Sequence, residues 1–82
     1  MTQQSRRNLR EELRLVEEEI AELRESAASL RRQVGDRTDG NLEPEETGAT
    51  IASAEELEAI VDTLETRRDD LARRIEAGAG GG

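Results

Sequence analysis

The sequence predicts an all-α fold: an antiparallel two-helix coiled-coil hairpin with a long acidic connecting loop, dimerising into a four-helix bundle. Three observations carry that expectation. Leu9, Leu13, Val16, Ile20, Leu23, Ala27, Leu30 and Val34 recur in alternating steps of four and three, an unbroken heptad pattern. A second stripe, Ala54, Leu57, Val61, Leu64, Arg68, Leu71 and Ile75, repeats the pattern with one polar interruption. Between the two stripes lies a stretch punctuated by Gly35, Gly40, Pro44 and Gly48, which breaks helical periodicity. The 82 residues suffice for one small domain.

The first helix is predicted over about 6–34. Ser5 and Asn8 are both plausible N-caps, although Arg6 and Arg7 sit badly beside a positive helix N-terminus. Gly35 can end the helix in the left-handed conformation, and Arg31 and Arg32 suit its last turn. Leu13, Ile20, Ala27 and Val34 take heptad position a; Leu9, Val16, Leu23 and Leu30 take d.

The loop is predicted over 35–52. Five carboxylates lie there, Asp36, Asp39, Glu43, Glu45 and Glu46, against the single Arg37. The second helix is predicted over about 54–77. Ser53 is its expected N-cap, with Glu56 completing a capping box. Gly78 is the expected stop, and residues 78–82 are expected to be a disordered tail.

Two helices of similar length most simply fold back on each other. In an antiparallel pair e faces e′ and g faces g′. The first helix carries Arg10, Glu17, Arg24 and Arg31 at e with Glu12 and Glu19 at g; the second carries Glu58 and Glu65 at e with Arg67 and Arg74 at g. Most facing combinations attract. One register pairs Leu9 with Ile75, Leu13 with Leu71, Ile20 with Leu64 and Leu23 with Val61. It places Glu12 by Arg74, Glu19 by Arg67 and Arg24 by Glu58, and sets Glu17 against Glu65. A shift by one heptad pairs Val34 with Leu57 and leaves Leu13 against Gly78. The first fills more layers and is preferred.

Composition narrows the function classes. There is no Cys, hence no disulfide or thiolate zinc site, and no His, the commonest general base and metal ligand. There is no Phe, Tyr or Trp to stack on a base or anchor an interface. Catalysis would rest on carboxylates, Arg and Ser/Thr, with no apolar pocket in prospect to raise a carboxyl pKa. The expectation is no enzyme, no cofactor and no metal. A net charge of −8 repels phosphate backbones, so no direct nucleic-acid contact is expected. No apolar run is long enough for a membrane span or a signal segment, and a cytoplasmic location follows as the expectation. All 12 basic residues are Arg, which hints at a GC-rich bacterial genome.

Two surfaces are candidates for work. Arg68 interrupts the seam at an a position. It either fixes register or oligomer state, as a polar a residue can, or packs its stem while its guanidinium reaches out to Glu65 or Glu17. The connecting loop is the second. Asp36, Asp39, Asn41 and Glu43 could offer oxygen ligands to Ca²⁺ or Mg²⁺, but without EF-hand spacing. As a partner-binding tip, Asp36, Asp39, Glu43, Glu45 and Glu46 would engage a basic protein surface. In its helix–loop–helix shape the chain resembles the coiled-coil hairpins of the Gre and DksA transcription factors, whose acidic tips enter the RNA polymerase secondary channel. The resemblance maps only Asp36 and Asp39 onto those tips, and the chain lacks the cysteines of the DksA zinc domain. It implies a regulator docking on a larger machine such as RNA polymerase.

The expectation from the residues themselves is a small coiled-coil module that assembles through helix packing, with protein as its partner and a second copy the first candidate. Leu15 at c and Ile60 at g fall outside the a/d stripe, and both widen the g flank. A two-fold dimer through that flank is expected, with Leu15, Ile60 and Arg68 as interface residues.

Overall fold

Heptad spacing over two long stretches leaves each helix with one apolar stripe that must be covered, and each covers the other. The computed structural model describes residues 3–36 and 44–80. Two helices, α1 (Gln3–Asp36) and α2 (Pro44–Gly80), pack along their length as an antiparallel hairpin, a rod of 61 × 14 × 14 Å. No strand occurs among the described residues.

The seam contains the expected residues. Val16, Ile20, Ala27, Ala54, Val61 and Leu71 are buried. Leu9, Leu13, Leu23 and Leu64 pack against the Val16, Ile20, Val61 and Leu71 cluster. Leu71, at 2% exposure, is the largest fully buried side chain. Toward the loop end the seam changes character, because Ala27 and Ala54 take buried a positions. Small side chains excluded from water there mean that the opposing helix has come close.

Contacts across the seam select the register. At the open end, the Arg6 Nη2 donates to the Gly78 carbonyl at 2.9 Å. Stepping up α1 and down α2 from that contact brings Leu13 level with Leu71, Ile20 with Leu64 and Leu23 with Val61. Each interhelical ion pair, Glu12–Arg67, Arg24–Glu65 and Arg31–Glu58, then spans five residues of axial offset, about 7.5 Å at 1.5 Å per residue. In the shifted register Arg67 would stand twelve residues from Glu12, about 18 Å along the axis, beyond the reach of the two side chains.

The helices run further than predicted. α2 begins at Pro44, ten residues ahead of the expected start, so residues 35–36 and 44–52 of the expected 35–52 loop are helical, and the rest of that stretch lies outside the described residues. Proline suits a first helical position, where its missing N–H is not needed, and Glu45 and Glu46 occupy the first turn, where carboxylates favour the helix dipole. Thr47 and Thr50 continue the heptad backwards at a and d, and both are half-buried. The Thr50 hydroxyl donates to the Glu46 carbonyl at 2.9 Å, which satisfies the polar group inside the helix. Ser53 is therefore a helix-interior residue and not an N-cap.

α1 likewise passes the expected stop at Gly35 and ends at Asp36. α2 passes Gly78 and ends at Gly80, correcting the expected 78–82 tail over 78–80; residues 81–82 lie outside the described residues. The Arg6 contact supplies a reason. An arginine poorly placed for its own helix N-terminus sits beside the C-terminal carbonyls of the antiparallel neighbour, where a cation is favoured.

Candidate interaction surface

An antiparallel coiled coil has two flanks beside its seam, and the charges and exposed apolar groups divide between them. On the e flank, Arg24 pairs with Glu65, and Arg31 with Glu58. The second pair is bidentate: Arg31 Nε and Nη2 donate to the two Glu58 carboxylate oxygens at 2.9 and 2.7 Å. That fork geometry is the strong form of the interaction. Its hydrogen bonds hold the Glu58 carboxyl below the usual carboxylate range and push the Arg31 guanidinium higher still. Between these pairs lies an open notch of about 360 Å³ with Ala27, Ala28 and Val61 at its floor.

The partner choices differ from those predicted. Glu12 pairs with Arg67 and not Arg74, which folds onto Asp70 of its own helix at 3.0 Å. Arg24 takes Glu65 and not Glu58. The anticipated Glu17–Glu65 repulsion is offset because Glu65 faces Arg24, with Arg68 at 3.9 Å. Side chains lean toward their own helix N-termini, so an e–e′ pair offset in that sense points head to head.

Arg68 is half-buried at its a position, with its guanidinium 3.0 Å from Asp69 and 3.9 Å from Glu65. Its hydrogen-bonded partner is Asp69 on its own helix, not the expected Glu65 or Glu17.

The g flank carries the apolar feature. Leu15 is 51% exposed and Ile60 42%, the exposed large hydrophobics of the described residues. They lie on the same side of the hairpin, nine residues apart in level, about 14 Å along the axis. The Glu12–Arg67 bridge crosses the seam between their helices, and Glu19, one turn beyond Leu15, is exposed.

Of the acidic tip, Glu45 and Glu46 are exposed in the first turn of α2. Asp36 ends α1. Asp39, Asn41 and Glu43 lie outside the described residues, which takes in three of the four expected cation ligands and two of the five tip carboxylates. Among the described residues no group of three or more acidic side chains could hold a metal ion, and no helix is long and apolar enough to cross a membrane.

Compared with known proteins, the chain matches no family model, no curated protein and no solved structure.

Sequence reasoning missed two contributors to this architecture. Thr47 and Thr50 hold heptad positions, but their hydroxyls hid them from a search for apolar stripes. Arg6 looked misplaced on its own helix because its partner is 72 residues away.

Proposed function

We propose that this chain is a non-enzymatic cytoplasmic module that works through helix packing and associates with a second copy of itself through the g flank. The observation that carries the reading is the pairing of Leu15 and Ile60, both substantially exposed, on one side of a hairpin. Single exposed apolar residues are ordinary. Two on one flank, edged by Glu12, Glu19 and Arg67, have the anatomy of a small apolar interface with a polar rim.

The thinness of the core points the same way. One aliphatic seam without aromatic side chains or cysteines gives a long rod rather than a compact body, and rods of this kind gain buried area by bundling. Burying the flank would add a second seam.

The test is the concentration dependence of the thermal midpoint. Association raises the midpoint with concentration by mass action. The wild-type midpoint is expected to rise across a hundredfold range, and that of L15E/I60E to stay flat. A wild-type midpoint that does not move contradicts the reading.

A further inference from the structure

The flank on which that self-association reading rests is electrically lopsided. Its α1 half presents Glu12, Glu19 and Glu22 with no basic residue at the g and c positions from Ser5 to Gln33. Its α2 half, at the g and c positions from Ser53 to Ala77, presents Arg67 and Arg74 against Glu56 and Asp70, and is balanced. Two copies can meet flank to flank about a two-fold axis in two ways. If the axis lies across the hairpin, the copies point in opposite directions and α1 lies on the partner's α1. Glu19 and Glu22 then face the same acidic surface, a like-charge contact that destabilises. If the axis runs along the hairpin, the copies point the same way and α1 lies on the partner's α2.

In the register set by Arg6 and Gly78, Glu12 stands two residues in level from Arg74, and Glu19 two residues from Arg67. The second arrangement therefore brings Glu12 to the partner's Arg74 and Glu19 to the partner's Arg67. It also sets Leu15 at the level of its own copy and Ile60 at the level of its own, making two apolar layers about 14 Å apart.

We infer that the second copy docks on the g flank in the parallel arrangement, with α1 against the partner's α2 and both connecting segments at the same end of the four-helix bundle. That end then presents the acidic first turn of α2, Glu45 and Glu46, twice on one face, a bivalent acidic surface that a lone hairpin cannot offer.

The chain has no cysteine, so one introduced thiol gives one labelling site. Gln33 is exposed near the loop end. Nitroxide-labelled Gln33→Cys is measured by pulsed dipolar spectroscopy, wild type otherwise, with mass determined on the same sample. The parallel bundle places the two labels at one level, within about 25 Å given helix spacings of 8–10 Å. The opposed arrangement, centred between Leu15 and Ile60, separates them by about 40 Å along the axis. A dimer with the short distance, lost on adding L15E/I60E, supports the inference. A dimer at about 40 Å overturns the polarity and leaves self-association standing. A short distance that survives L15E/I60E assigns the interface to another face and overturns it. A monomer mass with no dipolar signal overturns both.

Discussion

Leu71→Ala removes the best-buried large side chain of the seam. Leu71 is 2% exposed and belongs to the cluster with Val16, Ile20 and Val61. The change deletes three carbons from a site level with Leu13, where two rigid helices cannot collapse onto the space. Buried leucine truncations cost about 2–5 kcal/mol, the cavity setting the upper part of that range. For a domain of this size each kcal/mol moves the thermal midpoint by about 4–8 °C, so a loss of about 3 kcal/mol lowers it by roughly 12–24 °C. The assay is thermal unfolding followed by far-ultraviolet circular dichroism at one fixed low concentration. Leu15→Ala is the control. At 51% exposure Leu15 is expected to change stability by no more than about 0.5 kcal/mol when the hairpin is unassociated. If the two variants lose the same amount, Leu71 is not in a packed seam and the hairpin packing is wrong.

Three further outcomes follow from the helix limits and the e flank. Ser53→Ala is expected to be neutral or to raise stability by a few tenths of a kcal/mol, since Ser53 lies inside α2; a loss of about 1 kcal/mol in chemical unfolding would restore it as an N-cap. Gly48→Ala is expected to stabilise by about 0.5–1 kcal/mol, because Gly48 is helical and an added Cβ meets nothing within 4 Å; destabilisation would place Gly48 outside a helix. Glu58 has its carboxyl pKa lowered by the Arg31 hydrogen bonds, so its stabilisation is complete above the ordinary glutamate pKa and disappears as pH falls through the lower folded value. Acid melts of wild type and Glu58→Gln should therefore converge as pH drops below that window, and curves that stay parallel throughout would show that the pair has no pH-linked role.

Much of the hairpin was legible because heptad spacing is a geometric statement. Residues repeated every 3.5 positions demand a facing helix, and Val16, Ile20, Val61 and Leu71 are buried as that demand requires. The limits of α2 were less legible because two local signals competed. Ser53 to Glu56 forms a good cap in isolation, but Pro44, Glu45 and Glu46 start a helix equally well, and Thr47 and Thr50 continue its heptad. Ion-pair partners were the least legible. Arginines and glutamates repeat every seven residues on these flanks, and their long side chains reach about a turn and a half of offset. A pattern of spacings leaves Arg24 free to choose Glu58 or Glu65, and side-chain direction favours Glu65; it does not account for Glu12, which pairs with Arg67 while Arg74 folds onto Asp70. The apolar flank was visible as Leu15 and Ile60 standing off the stripe, and both are exposed in the structure.

Molar mass in solution tests self-association through that flank most directly. Light scattering with refractive-index detection suits a chain without Trp or Tyr. At high micromolar concentration the wild type is expected to give twice the 9.1 kDa chain mass, and L15E/I60E to give the chain mass with its helicity retained. A wild-type monomer under those conditions would contradict the account, as would a dimer that the double substitution leaves intact.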